Sequence, residues 1–250
     1  MEIYPVDTII GIYLPSLRGG GAEAVMVIIA NALAHHGFTV DLVVAHATGP
    51  YLAEVSPSVN VVDLERSRVV SSLPGLVRYL RQRKPVALLS AMRHANLIAL
   101  LANRLAGRKT RLVISERNFA LVETNQTIRL RSKLIRLLSQ RLYMKADAIH
   151  AVSQGVADAS GKELGLPPEK ITVVYNPVVT QKMMERAKAD ENYPWLPEKS
   201  RPMLLAAGRL TQQKDFSTLI RAFAILRRKL DASLVIMGEG QLRPELEGLI

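Results

Sequence analysis

The sequence predicts an α/β protein: a parallel sheet covered by helices on both faces, followed by the start of a second domain of the same kind. Short apolar runs rich in β-branched residues alternate with amphipathic helical segments along most of the 250 residues. Strands buried on both faces have such continuous apolar runs. The alternation is interrupted once, at residues 181–201, and then restarts.

The first domain is predicted over residues 1–180. Glycines follow two of its helices (Gly37 and Gly107), and Pro74 lies in the first turn of another, as is typical of helix ends and starts. The predicted strands are Thr8–Leu14, Thr39–Ala45, Val59–Asp63, Val86–Ser90, Arg111–Ser115, Ala148–Ser153 and Ile171–Tyr175. The predicted helices are Ala22–His36, Leu73–Arg83, Ala95–Ala106, a long basic helix at about Thr127–Lys145, and Gln154–Leu164.

Residues 181–201 are polar and proline-containing, which predicts a domain linker. The second domain, over residues 202–250, is predicted as strand Met203–Ala207, loop Gly208–Asp215, helix Phe216–Leu230, strand Ser233–Met237 and a last helix Gln241–Ile250. Because two strands cannot close a core of their own, we expect this domain to be incomplete.

Charge and composition restrict the classes of function. The chain has no cysteine, which excludes disulfides, thiolate metal sites and cysteine nucleophiles. The net charge of +11 is concentrated in residues 66–150, where 18 Lys and Arg stand against 3 Asp and Glu. This local excess predicts an anionic partner at one face, and on charge alone a membrane surface and nucleic acid both qualify. No apolar run reaches transmembrane length, and we expect no signal peptide.

A glycine run after the first strand, Gly19-Gly20-Gly21, is the first candidate site. Glycine costs conformational entropy, so three in succession between a strand and a helix suggest backbone that passes close to something else. The N-terminus of the following helix offers unpaired N–H groups and the positive end of a dipole, which suit a diphosphate. The alternative is a flexible connector.

Gly19-x-Gly21-x-x-Ala24 also matches the dinucleotide-binding fingerprint, which would indicate an NAD-dependent dehydrogenase. Two details disfavour that interpretation. Residues 15–18 separate the strand from the first glycine, and the acidic residue expected at the end of the second strand is absent, because Asp41 lies near the start of that strand.

Several motifs in the same order resemble the family 4 glycosyltransferases of GT-B fold. They are Gly20-Gly21-Ala22-Glu23, Asn31-Ala32-Leu33-Ala34-x-x-Gly37-x-x-Val40, Ser115-Glu116-Arg117-Asn118, Asn176-Pro177, Gly208-Arg209-Leu210-x-x-x-Lys214-Asp215, and Gly238-Glu239-Gly240-x-Leu242-Arg243. The resemblance covers nearly the whole chain. It implies two Rossmann-like domains facing across a cleft, no metal or other cofactor, and transfer of a sugar from a nucleotide-sugar, a UDP-sugar being expected, with retention of anomeric configuration.

The resemblance also implies roles for individual residues. Arg209 and Lys214 match the pair that binds the donor phosphates, a planar fork and a mobile charge that together replace a metal ion. Gly20 and Gly21 would bring main-chain amides to the same phosphates. Glu239 and Gly240 are predicted to contact the donor, although an exposed turn is the alternative for Glu239.

The chain departs from the family pattern in two places. Many relatives have a sugar-contacting histidine where this sequence has Arg117, so we predict that Arg117 and Asn118 contact the sugar. The family's pair of glutamates, spaced eight apart, would lie beyond Ile250. We therefore expect the 250-residue chain by itself to be weakly active or inactive.

The long basic helix predicts contact with an anionic membrane through Arg129, Lys133 and Arg136, and an ordinary surface helix is the alternative. With the family resemblance, this favours a cytoplasmic, peripheral enzyme that extends a membrane-associated glycolipid or polysaccharide, such as a lipopolysaccharide. A non-catalytic carbohydrate- or anionic-membrane-binding domain is the alternative. Aromatic residues amount to only 5%, so nucleic acid is disfavoured. The scattered histidines predict no metal site.

Overall fold

The computed structural model describes residues 8–117, 139–188 and 201–250. The chain divides into two compact units, Met1–Met184 and Glu185–Ile250. The boundary between them lies in a short helix, Gln181–Ala187, within the stretch that the sequence predicts as a linker. Most of the predicted basic helix lies outside the described residues, and 139–143 at its end are helical.

The first unit contains one parallel sheet of seven strands. Its strands are β1 (Ile9–Leu14), β2 (Thr39–Val44), β3 (Val59–Asp63), β4 (Ala87–Ala91), β5 (Arg111–Glu116), β6 (Ala148–Ala151) and β7 (Ile171–Val173). The helices are α1 (Gly21–His35), α2 (Leu73–Arg83), α3 (Arg93–Leu105) and α4 (Gln154–Leu164), and the helix at the unit boundary is α5 (Gln181–Ala187). The predicted fold class is confirmed, with element ends that differ by one or two residues.

The strand order is β3-β2-β1-β4-β5-β6-β7. The chain first adds strands on one side of β1 and then, from β4, on the other. In a doubly wound sheet this reversal leaves a crevice at the carboxyl ends of the two central strands, where ligands bind. The crevice here therefore lies between the loops that follow β1 and β4.

Apolar side chains cover the sheet on both faces. Ile12 and Leu14 pack with Met26, Val27 and Ala30 of α1 on one face. The other face is covered by α2, α3 and the segment that follows residue 139, and its fully buried side chains include Tyr13, Leu76, Leu88, Ile114 and Tyr143. Neighbouring residues of β1 thus point to opposite cores, as the period of a strand requires.

The second unit contains two parallel strands, β8 (Met203–Ala207) and β9 (Ser233–Met237). Helices α6 (Phe216–Arg227) and α7 (Arg243–Glu247) are shorter than the sequence predicts. Leu210, Phe216, Ile220 and Leu246 form a small core. Leu205 and Met237 remain 59% and 48% exposed, so one face of this pair of strands is open among the described residues.

Candidate functional site

The glycine run lies at the crevice of the first unit, where β1 leads into α1. Gly20 precedes the helix with extended backbone, and no side chain caps the helix there. A Cβ atom added at Gly21 would meet nothing within 4 Å. The first-turn N–H groups of α1 have no partner within the helix, and space is open beside them. This geometry suits the predicted anion-binding role of Gly20 and Gly21, which remains a prediction.

The loop between β1 and the glycines is held in place by the loop that follows β2. The Leu17 N–H donates to the Thr48 carbonyl at 3.0 Å, and the Tyr51 N–H donates to the Leu17 carbonyl at 3.3 Å. Gly49 has a φ of +125°, and an added Cβ there would lie 2.0 Å from the Leu17 oxygen. The residues that separate the strand from the glycines are therefore an anchored extension rather than a flexible connector.

Asp41 is a structural residue. Its side chain is fully buried, and it accepts hydrogen bonds from Asn60 (2.8 Å), Tyr79 (3.0 Å) and both Nε and Nη2 of Arg83 (3.0 Å each). These partners, Arg83 most strongly, hold the pKa of Asp41 below its usual value against the opposing effect of burial. With its oxygens occupied, Asp41 cannot bind a ribose, which disfavours the dehydrogenase interpretation further.

Arg117 follows β5 at the same edge of the sheet. Its Nη1 donates a hydrogen bond to Oδ1 of Asn176 at 3.1 Å. Its Nε and Nη2 atoms are buried and have no hydrogen-bond partner in the part of the chain that the structure describes. Burial lowers the pKa of Arg117 to about 10, and the nearby Glu23 carboxylate opposes this effect. The Nε and Nη2 atoms of Arg117 are thus available as hydrogen-bond donors beside the glycine loop.

Glu23 connects the glycine run with two basic side chains. A Cβ atom added at Gly20 would lie 2.6 Å from Oε2 of Glu23. Burial lowers the pKa of His94, which follows β4, and the Glu23 carboxylate counteracts this lowering as it does at Arg117. The Glu23 carboxylate therefore lies close to Gly20, and its charge acts on both His94 and Arg117.

His150, at the end of β6, supports the loop that presents Asn176. Its Nε2 lies 2.8 Å from the Val174 carbonyl oxygen, and its Nδ1 lies 2.8 Å from the Ser115 hydroxyl. A carbonyl only accepts, so Nε2 carries the proton and Nδ1 accepts from Ser115. Burial lowers the pKa of His150 and outweighs the hydrogen bond to the Val174 carbonyl, which acts in the opposite direction; the charge of Arg117 adds to the lowering. The ring is therefore held neutral.

Glu116 lies behind this site in a buried network. Tyr143 and Asn96 donate hydrogen bonds to it, and Arg93 Nη2 lies 3.7 Å from its Oε2. Arg93 also binds Glu163 through two hydrogen bonds of 2.6 and 2.9 Å. Burial raises the pKa of Glu116, while the hydrogen bond from Tyr143 and the charge of Arg93 act against it. The network fixes the end of β5 and so the residue that follows it.

In the second unit, Arg209 and Lys214 lie on one loop at the carboxyl end of β8. Both side chains are exposed, and neither forms an ion pair within the described residues. The aliphatic part of the Lys214 side chain lies against Gly208, because a Cβ atom added at Gly208 would lie 3.4 Å from Cε of Lys214. Two cations without ion pairs on so short a loop suit the predicted phosphate-binding role of Arg209 and Lys214, which remains a prediction.

The Gly238-Glu239-Gly240 turn packs against this loop. The Gly208 N–H donates to the Met237 carbonyl at 2.9 Å, and the Leu210 N–H donates to the Glu239 carbonyl at 2.9 Å. A Cβ atom at Gly238 would lie 1.8 Å from the Gly208 oxygen, and one at Gly240 would lie 2.4 Å from the Leu210 oxygen. Both glycines thus permit close backbone packing. The Glu239 side chain is exposed and pairs with Arg243.

The remaining predicted site residues are not described. Asn118, Arg129, Lys133 and Arg136 all fall within residues 118–138, outside the described ranges. Over the described parts of the chain, no helix has the length and apolar character needed to cross a membrane. The same residues contain no group of three or more acidic or histidine side chains placed to hold a metal ion, and the expectation of a metal-free protein remains untested.

The site also includes residues for which the sequence predicted no role. Asn176 belongs to the Asn176-Pro177 motif, but nothing in the sequence indicated that it contacts Arg117. His94 follows the strand next to β1, and knowledge of the strand order would have identified it. His150 acts only through hydrogen bonds to other loops, which sequence spacing does not reveal.

The chain has the fold of the GT-B glycosyltransferases. The Anabaena protein Alr3699/HepE, solved in complex with UDP, superposes with a TM-score of 0.67 at 17% identity, over 97% of this chain and 65% of that one. The lipopolysaccharide outer core galactosyltransferase WaaB superposes with a TM-score of 0.62 at 17% identity, over 97% and 64%. These similarities confirm the predicted fold.

The chain belongs to glycosyltransferase family 4, because residues 19–182 match the profile of Glycosyltransferase Family 4. It is 32% identical over 252 aligned positions to N-acetylgalactosamine-N,N'-diacetylbacillosaminyl-diphospho-undecaprenol 4-alpha-N-acetylgalactosaminyltransferase of Campylobacter jejuni. The match covers 96% of this chain and 65% of that relative. The predicted family membership is confirmed.

Proposed function

We propose that the protein acts as a retaining glycosyltransferase, moving a sugar from a nucleotide-sugar, with a UDP-sugar expected, to a lipid-linked acceptor. The observation that carries this proposal is the loop after β8, whose Arg209 and Lys214 are exposed and have no ion-pair partner among the described residues. The name of the Campylobacter relative supports a diphospho-undecaprenol acceptor. The Anabaena structure supports a uridine diphosphate donor.

The proposed chemistry explains the need for these cations. Breaking the bond between the sugar and the diphosphate builds oxocarbenium character on the sugar and negative charge on the departing diphosphate. Fixed donors aimed at that charge stabilise the transition state more than the ground state. Arg209 would bind phosphate oxygens through its planar fork and Lys214 as a point charge, so that no metal is required.

Residues of the first unit are further proposed contacts. In this proposal, main-chain amides at Gly20 and Gly21 bind donor phosphate or sugar oxygens. The buried Nε and Nη2 atoms of Arg117, which have no partner within the described residues, are suited to sugar hydroxyls. Asn118 would add a contact beside Arg117, and the turn at Glu239 and Gly240 would contact the donor from the second unit.

A lipid-linked acceptor would put the proposed reaction at a membrane surface. We propose that the protein acts in the cytoplasm, peripherally on the inner face of the cell membrane, and extends a glycolipid or polysaccharide precursor. Arg129, Lys133 and Arg136 are the proposed membrane contacts. Replacing all three with Gln should weaken co-sedimentation with anionic vesicles at low salt. Unchanged sedimentation would contradict their role.

The transfer itself is tested with the protein in its full-length form. A panel of UDP-sugars is incubated with a polyprenyl-diphosphate-linked sugar, and products are analysed by mass spectrometry and NMR. We expect one donor to add a single sugar to the lipid-linked acceptor with the donor's anomeric configuration. An inverted product would contradict retention, and binding of a UDP-sugar without transfer to any lipid-linked acceptor would contradict the acceptor class.

A further inference from the structure

A basic cavity lies at the amino-terminal edge of the sheet in the first unit, opposite the candidate site. It has a volume of about 240 Å³ and is lined by the end of α3, the start of β5 and the residues before β6. Strand β5 contains six residues. At about 3.3 Å per residue, it separates the two edges by about 20 Å. The cavity is therefore separate from the glycine run and from Arg117.

Three cations line this cavity: Arg104, Arg108 and Lys145. All three side chains are exposed, and none has an ion-pair partner in the described ranges. Asp147 is the one carboxylate in the lining, and its Oδ2 accepts the Leu112 N–H at 2.7 Å. The positive charges outnumber the negative one, so the cavity favours an anion.

Asn103 adds a second, independent indication of a ligand. Its side chain lines the cavity and is only 7% exposed. Its Nδ2 donates to the Thr110 carbonyl at 2.8 Å, which fixes the orientation of the amide. The opposite atom, Oδ1, is buried without a hydrogen-bond partner in the described chain. A buried acceptor of this kind is costly unless a donor reaches it.

We propose that Asn103, Arg104, Arg108 and Lys145 form a second binding site, for the phosphate group of a phosphate ester that carries a hydroxyl group. The cations bind the phosphate oxygens, and Oδ1 of Asn103 accepts from the hydroxyl. The cavity is smaller than the roughly 300–1,000 Å³ of sites for drug-sized ligands, so a small head group fits better than a nucleotide-sugar. This site is independent of the proposed sugar transfer.

The ester could be a soluble metabolite or the head group of an anionic lipid. An adjoining groove, lined by Leu101, Leu142 and Met144, shares Arg104 and Lys145 with the cavity. Met144 and the nearby Leu105 are 40% and 54% exposed. Apolar side chains beside cations are also found where proteins contact lipid head groups. The two sources share the phosphate chemistry, and the experiment separates them.

The test measures binding to the intact protein in two arms. Calorimetry with inorganic phosphate, glycerol 1-phosphate and propyl phosphate reports soluble esters. Co-sedimentation with phosphatidylglycerol and with phosphatidylcholine vesicles reports a lipid source. Arg104→Gln, Arg108→Gln and Lys145→Gln should each weaken binding roughly tenfold or more. Lys109→Gln removes the same charge from an exposed residue outside the cavity lining and is the matched control.

Glycerol 1-phosphate should bind more tightly than propyl phosphate, because only the former offers hydroxyls to Asn103. Binding in either arm that is lost in the three variants and kept in Lys109→Gln supports the site and identifies its source. Binding in neither arm, or equal loss in Lys109→Gln, overturns the proposal. Sugar transfer should be unchanged in the three variants, so the absence of phosphate binding at this cavity is distinguishable from the absence of transferase activity.

Discussion

Replacing Arg117 with Met should stabilise the protein while reducing its proposed sugar transfer. Arg117 is held in a desolvated site with one hydrogen bond to Asn176 and with Nε and Nη2 unpartnered among the described residues. Burial lowers its pKa from the ordinary value of an arginine to about 10. Because the folded-state pKa lies below that of the unfolded chain, the buried charge opposes folding at every pH below about 10.

The size of the effect follows from the same quantities. At about 1.36 kcal/mol per pKa unit, burying the charge costs about 3 kcal/mol. The charged hydrogen bond to Asn176 returns about 1.5 kcal/mol. Met fills a similar volume without a charge, so we expect Arg117→Met to raise the free energy of unfolding by about 1 to 2 kcal/mol. Higher stability combined with lower activity in a variant is expected when the replaced side chain serves function and destabilises the fold.

Urea unfolding of the variant measures the stability, and the transfer assay measures the activity. Arg111→Met is the matched control, since Arg111 is an exposed arginine at the start of the same strand. It should change stability by no more than about 0.5 kcal/mol. A loss of more than about 1 kcal/mol in the stability of Arg117→Met, with transfer unaffected, would instead show that Arg117 is a structural residue.

Three further predictions concern the first unit. Gly21→Ala should leave the melting temperature unchanged but weaken donor binding. Gly49→Ala should destabilise the protein by about 2 kcal/mol or more, because the added Cβ meets the Leu17 oxygen in a left-handed backbone conformation. Equal melting temperatures of the two variants would contradict this difference. Asp41→Asn should destabilise by about 2 kcal/mol or more in urea unfolding, because it weakens the hydrogen bonds that the buried Asp41 carboxylate accepts from Arg83, Tyr79 and Asn60. Asp158→Asn, at an exposed carboxylate, should not. Because the pKa of His150 is lowered in the folded protein, the imidazole is protonated at a higher pH in the unfolded chain than in the folded one. Stability should therefore be fully present above about pH 6.5 and decline below it, and a decline of the same size in His150→Gln would show that another group causes it.

The fold was largely predictable because its signals are local. Continuous apolar strands and amphipathic helices predicted the first sheet, and Gly37 and Pro74 marked where helices end or begin. The crevice is identified by the reversal of strand order between β1 and β4. That reversal is known only from the pairing of strands that are far apart in the sequence. His94 belongs to the site for that reason alone.

The parts of the site that the sequence did not reveal depend on long-range contacts. Gly49 looks like an ordinary loop glycine until its approach to Leu17 is known. Asp41 looks like a misplaced ribose ligand until Tyr79 and Arg83 are seen to occupy its oxygens. Gly240 of the Gly238-Glu239-Gly240 turn was predicted to contact the donor, and the structure gives it a packing reason as well.

Calorimetric titration of UDP into the full-length protein tests whether the loop after β8 binds the diphosphate of a nucleotide-sugar. Arg209→Gln and Lys214→Gln should each weaken UDP binding by roughly tenfold or more, as expected for the loss of a charge-assisted contact to phosphate. Arg228→Gln, at an exposed cation away from this loop, should not. Equal UDP affinity in the wild type and both loop variants would contradict the account.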